Sequence, residues 1–420
     1  MPLSQKLSDD LNQRISSLKL PKNNTKKRCE ALKRIKVMGL PSRRDEYWKY
    51  TNPSLFNDLF SDKNVVIASD DKLNFDSIGC FKLIFTDGVF DQESSDSLEG
   101  EELELVRISD SSEDKANWLE DFYGSLEEAG QNPVDRPLAK LNTAFATDGL
   151  ALRVTGKITK PINIVYNETS YRSDVNLHHC IKLEQGSSLT LIESGSVSSR
   201  LNKVTELEVA QDSSFHHVCA QTNNVDKIVS THLFARLWEN SVLKSFTLTT
   251  SGALTRNEHV VELKGNNGIS HLAAACIGEG RFHHDDTVFV THEGTHCESR
   301  QVFKKVLKKG AFGIFQGKIL VKPGAQKTDG YQISQSLLLD DDSQFLAKPE
   351  LEIYADDVVC SHGSTSGAID EEGLFYLRAR GVPENTAKDL LILAFLAEAL
   401  AEIEDTKISE LLLTYLERSL

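Results

Sequence analysis

The stretch KLEQGSSLTLIES, residues 182–194, sets two strand-like runs on either side of a turn at Gly186-Ser187. After the turn, Leu189 and Leu191 alternate with Ser188 and Thr190, the period of a strand with one face turned inward. Glycine and a small hydroxyl residue suit the turn. The pattern repeats along the chain. INIVY (162–166), CIKLE (180–184), ELEVA (206–210), SVLKSFTLTT (241–250), HVVEL (259–263), DTVFVTH (286–292) and KILVK (318–322) read as strands. Turns at Gly186-Ser187, Asp212-Ser213, Glu239-Asn240 and Gly265-Asn266 recur about every 26 to 28 residues, a repeat period of solenoids. Beyond His292 the period becomes irregular. A parallel β-helix accounts for this, because each rung buries its inward Val, Ile and Leu on the next. Blade motifs of a propeller are missing, and about 240 residues of uniform strand texture is long for a sandwich. The expected fold is mainly β: a right-handed parallel β-helix core with helical regions on both sides.

Outward from this core the texture changes twice. Residues 1–135 read as a helical and mixed region, 136–375 as the β-helix, and 376–420 as a C-terminal helical region. Leu3 to Gly39 has helical spacing at Leu7, Leu11, Ile15 and Leu18, then at Leu32 and Ile35. FKLIFTDGVF (81–90) reads as a hairpin about Asp87-Gly88, and 109–130 as helix. Asn385 can cap a helix whose apolar face carries Leu390, Leu391, Leu393 and Ala397. A second helix, 407–420, ends the sequence.

The 420 residues carry a formal net charge of −15, which disfavours nucleic acid as a partner. No run of eighteen apolar residues spans a membrane, and the first residues have no secretory h-region. Seven scattered cysteines without a CxxC suit a reducing compartment, so a cytoplasmic location is expected.

The chemistry concentrates in KPELEIYADDVVCSHGSTSG, residues 348–367. Cys360 and His362 lie two apart, so in a strand thiol and imidazole share a face. A sulfur and a nitrogen ligand together suit a thiophilic metal or an iron–sulfur species. A small buried cysteine and a hydrogen-bonded histidine explain the same letters. His292-Glu293-Gly294-Thr295-His296 matches the HExxH zinc-hydrolase pattern, but that chemistry needs a helix, and TVFV before it with Gly inside favours strand then turn. His283-His284-Asp285-Asp286 could add ligands. GAFGIFQGK (310–318) fails the phosphate-loop spacing, so no ATP site is expected here. Asp356 and Asp357 could serve a β-helix enzyme acting on polysaccharide, an alternative weakened by the missing secretory signal.

Four phrases together resemble a known family: GLPSRRDEYWKYT (39–51), SRQVFKKVLKKGAFGIFQGKILVKPGAQKTDGYQISQSLLL (299–339), the 348–370 stretch and LFYLRARGV (374–382). They are similar to the SufB/SufD family of iron–sulfur cluster assembly scaffolds. The resemblance implies a non-enzymatic scaffold working with SufB and the ATPase SufC, with sulfur arriving from a cysteine desulfurase and its carrier. It implies that His362, with Cys360 beside it, helps hold a nascent iron–sulfur cluster at the interface with SufB. It places SufC on the C-terminal helices, where Leu391 and Phe395 are the expected contacts. It leaves open whether a reduced flavin takes part.

Overall fold

A computed structural model describes residues 3–21, 23, 25–59, 73–110, 117–169, 174–195, 199–222, 226–250 and 252–420. Strand makes up 43% and helix 25%, so the chain is mainly β, as a parallel solenoid of about seven turns with helices toward both ends. Each turn adds one strand to each of two sheets. One sheet runs from Phe81–Thr86 through Ile162–Asn167, Ser188–Gly195, Ser214–Gln221, Val242–Thr249, Ile269–Glu279, Glu298–Lys308 and Asp329–Leu338 to Val359–Gly367. The other runs from Leu150–Val154 through Asp174–Leu183, Arg200–Val209, Ile228–Leu237, Leu254–Leu263, His283–His292 and Phe312–Val321 to Gln344–Ile353. At the early end both sheets finish in antiparallel strands, Val89–Asp91 and Leu103–Arg107. At the late end Val359–Gly367 and Gln344–Ile353 are edge strands.

Register explains the sequence period. Asp174 and Arg200, paired across one turn, are 26 residues apart, whereas Ser334 and Ser364 are 30 apart. The late rungs are longer but keep their pairing. Inward positions stack in columns: Leu183, Val209, Leu237 and Leu263 follow one another in register, each fully buried. Burial of one such side chain contributes roughly 1.5–3 kcal/mol, repeated turn after turn.

Helices cover the outer faces. The helices Glu384–Leu400 and Thr406–Ser419 bury Ile392, Leu396, Leu400, Ile408, Leu412 and Leu416 against Ile192, Val218, Phe246, Ala275 and Val306 of the first sheet. The helix Pro137–Phe145 lies on the outside of the second sheet, where Asn142 donates to the carbonyls of Leu177 and Asn202 at 2.9 and 2.7 Å.

Some boundaries differ from expectation. Leu3–Ser17 and Lys26–Met38 are two helices, the second capped by the Thr25 hydroxyl. The segment expected as one helix over 109–130 contains Asn117–Phe122 and Ser125–Ala129, broken at Gly124 with φ 74°; residues 111–116 lie outside the described set. Pro137–Phe145 falls inside the span read as strands. Its Leu138, Leu141 and Phe145 have helical spacing, but the helix is only nine residues long and its polar positions, Lys140 and Asn142, are buried as well. Glu371–Ala379 is a further helix, capped by the Asp370 carboxylate. Among the described residues no helix is long and apolar enough to cross a membrane.

Candidate functional site

Cys360 and His362 stand on Val359–Gly367, the edge strand that closes the stack. Their face is settled by neighbours. Cys360 packs in a cluster with Ile319, Val321, Ala325 and Ala355, and a Cβ on Gly330 would meet its sulfur at 3.2 Å. Four residues beyond Cys360, and so on the same face, the Ser364 hydroxyl bonds that of Ser334 at 2.7 Å, and Ser366 is bonded to Ser336 at 3.1 Å. Ser334 and Ser336 are buried inside the solenoid. The strand therefore turns Cys360, His362, Ser364 and Ser366 toward the lumen. Since no later strand stacks on it, His362 stays exposed. The site is the mouth of the solenoid.

Burial pushes the Cys360 thiol up, more than the Gly330 N–H lowers it. The thiol is thus protonated at neutral pH and binds a metal only by losing its proton. No described residue hydrogen-bonds the His362 ring, which leaves both nitrogens available. Exposed apolar residues border the mouth: Val359, Tyr354 and Ile353 are 70%, 59% and 40% exposed, on or beside the two edge strands.

The other candidates resolve into local structure. His292 ends its strand, stacks in register between Leu263 and Val321, and contacts the Ser299 hydroxyl at 2.8 Å. Glu293 accepts Lys264 and Lys322, both at 2.6 Å, and His296 sits in a left-handed turn at φ 56°. The HExxH letters lie on strand and turn rather than helix, so the paired-histidine geometry of a zinc hydrolase does not form. The His283-His284-Asp285-Asp286 run splits by alternation. Asp285 accepts the Thr51 hydroxyl on the outer face, while His284 and Asp286 meet the Lys305 ammonium inside. Asp357 pairs with Lys327 at a turn, and Asp356 is exposed. Leu391 and Phe395 are half-buried. Leu391 faces Gly373 of the preceding helix, and the Phe395 ring lies 4.6 Å from the Lys304 ammonium. The exposed apolar residues of this region are Phe375, Tyr376 and Leu390.

Two buried donor groups escaped the sequence reading. Glu206 gathers His178 with the backbone N–H groups of Gly124, Leu126 and Glu127 at 2.6–2.8 Å, so it anchors the Ser125–Ala129 turn. Inside the lumen, Glu193 takes the Tyr166 hydroxyl at 2.5 Å, the His217 ring at 2.9 Å and the Lys203 ammonium, with Cys219 beside it. Burial alone would raise the Glu193 carboxyl, but Lys203 and His217 hold it well below the ordinary carboxylate range. Charged residues at inward positions of strands, such as Lys203 and Lys305, are the signal that could have revealed them.

The class the fold defines is a parallel β-solenoid with helices toward both ends, here with a cysteine and a histidine on its last strand. The model of the SUF system FeS cluster assembly SufBD core domain matches residues 165–395, and that of the SufBD protein N-terminal region matches residues 6–164. The chain belongs to the SufBD family. It is 29% identical over 385 residues to the iron–sulfur cluster assembly protein SufD of Escherichia coli, covering 89% of this chain and 88% of that one. It is 26% identical to SufD of Bacillus subtilis, covering 68% and 67%, and 24% identical to a SufBD family protein of Synechocystis, covering 90% and 87%. Its role lies in iron–sulfur cluster assembly by the SUF system.

Proposed function

We propose that this chain is a non-enzymatic scaffold subunit that holds a nascent iron–sulfur cluster, as cargo, at the mouth of its solenoid. A SufB chain would close over the two edge strands, and the ATPase SufC would dock on the C-terminal helical region. The observation that carries the reading is the placement of His362 and Cys360 on the last, uncovered strand, facing the lumen. Edge strands offer unpaired backbone groups to an incoming strand, and Val359, Tyr354 and Ile353 supply apolar area around them. The His362 imidazole would bind iron as a neutral ligand. A histidine in place of a thiolate raises the potential of a cluster and leaves it easier to release, which suits a scaffold. Cys360, with its raised thiol, is the weaker candidate, and the principal thiolates are assigned to SufB. The test is the iron and acid-labile sulfide content of the complex purified anaerobically from cells. His362→Ala should assemble normally and lose most of its cluster. Full cluster content in that variant would remove His362 from the site.

A further inference from the structure

Directly beneath His362 in the solenoid stands Gln332, and beneath that Gln301, in one register column on the lumen side. Both glutamines are fully buried. In both, neither the amide nitrogen nor the amide oxygen has a hydrogen-bond partner among the described residues. Each buried polar group left unpaired costs roughly 1–3 kcal/mol, so two bare carboxamides in one column need an explanation. Across the lumen the chain makes room for them. Gly317 faces the Gln332 amide, and a Cβ there would lie 2.6 Å from both its nitrogen and its oxygen.

Register neighbours in a sheet lie about 4.8 Å apart, within reach of a glutamine side chain. Stacked amides satisfy one another as a ladder, each N–H donating to the carbonyl of the next. A ladder in which Gln332 donates to Gln301 leaves the Gln332 carbonyl free and directed at the open rung. The ring above it is His362, whose nitrogens have no partner among the described residues. A metal-binding histidine needs an acceptor for the N–H on its far side, because that bond sets which nitrogen stays unprotonated and how the ring is turned.

We propose that Gln332 is a positioning residue for His362: its carboxamide oxygen accepts the imidazole N–H and presents the other ring nitrogen to the mouth. The proposal rests on the reading of His362 as a cluster ligand. A carboxamide suits this task because it accepts at any pH and adds no charge beneath an anionic cargo. Gln301, next in the column, is the group that a turn of the Gln332 amide brings into such a ladder; in the structure itself the two amides are not bonded to each other.

The test uses the full chain labelled with ¹⁵N-histidine. Long-range ¹⁵N–¹H spectra at alkaline pH report the neutral tautomer of each ring, with His362 assigned by its loss in His362→Ala. One tautomer should dominate in the wild-type chain. Gln332→Met, which keeps the length and removes the acceptor, should give a mixture. Gln332→Glu, which restores an accepting oxygen, should return a single form. In the complex from cells, Gln332→Met should lower bound iron and sulfide about 10-fold or more, as loss of an outer-shell partner does. An unchanged tautomer distribution in Gln332→Met overturns the proposal. If His362→Ala retains its cluster, the ligand reading falls by itself, and the spectra still decide whether Gln332 holds the ring. Should the Met chain not fold, Gln332→Leu, of similar volume and without an acceptor, makes the same comparison.

Discussion

The Thr51 hydroxyl donates to the Asp285 carboxylate at 2.5 Å across 234 positions of sequence, and so ties the 39–51 phrase to the outer face of the solenoid. Arg256 completes the joint. It is buried, ion-paired with Asp285 and with Glu258 at 2.7 Å, lies 4.2 Å from the Trp48 ring, and donates to the Tyr47 carbonyl at 3.0 Å. Arg256→Ala leaves Asp285 buried without its cation and Glu258 with Arg136 alone, 3.1 Å away. Breaking a buried pair costs about 3–5 kcal/mol. The thermal midpoint should fall accordingly, and trypsin should cut sooner at Arg43 and Arg44. An unchanged midpoint would mean that the phrase is held by other contacts.

Acid should loosen the C-terminal helices from the sheet. Glu402 joins them to it, 3.1 Å from the His271 ring and 2.6 Å from Arg300. Burial alone would raise the Glu402 carboxyl, but His271 and Arg300 outweigh it and hold it at about 2, below the ordinary 4.5. Its contribution is therefore complete above pH 4.5 and is lost as pH falls toward 2. His271 is shifted the other way: burial would lower it, but Glu402 and Glu298 raise it above 6.5. Its contribution is complete below 6.5 and lost as pH rises through the raised value. The coupling between the two should be largest between these limits and on the order of 1 kcal/mol for a partly exposed pair. A double-mutant cycle of Glu402→Gln and His271→Gln at pH 3, 5.5 and 9 checks it. A coupling independent of pH would contradict the assignment.

Docking of the ATPase should depend on Phe375, Tyr376 and Leu390. These are the exposed apolar residues of the C-terminal helices, at 75%, 58% and 46% exposure. Phe375→Asp with Leu390→Asp should abolish capture of SufC while the thermal midpoint stays within about 1 kcal/mol of wild type. Leu391→Asp and Phe395→Asp should lower stability as well, because both side chains pack inside this chain. Deleting 385–420 would uncover Val218, Phe246 and Val306, so it tests folding before docking. Full capture by the exposed-face variant would move the docking surface elsewhere.

Cys360→Ser should reduce cluster content less than His362→Ala. Its thiol is raised by burial and packed among Ile319, Val321 and Ala355, which suits a structural neighbour of the site. Iron and sulfide assays on the two purified complexes make the comparison. Equal losses would give the thiol a direct share in holding the cluster.

Alternation and turn spacing were enough to read the solenoid, because both are local properties of a strand and its turn. Leu189 and Leu191 beside Ser188 and Thr190 already place a face inward. The same rule of two put Cys360 and His362 side by side, whereas the His283–Asp286 run was read only as a source of further ligands, and the structure divided it between the two faces. The helix Pro137–Phe145 was hidden because nine residues are few for the spacing of Leu138, Leu141 and Phe145 to stand out beside the strands that follow.

The sequence by itself determined the repeat, the strand character of the Cys360–His362 segment and the failure of HEGTH to form a helix, since all of these follow from neighbours a few residues apart. Only the tertiary structure decided that this strand is the last to stack, that its donors face the lumen, and that the bare amides of Gln332 and Gln301 lie beneath His362. Those facts depend on which strands pair across about 30 residues and on where the stacking stops. A local pattern leaves that undetermined, because every inward position of a strand looks alike until the rung above it is present or missing.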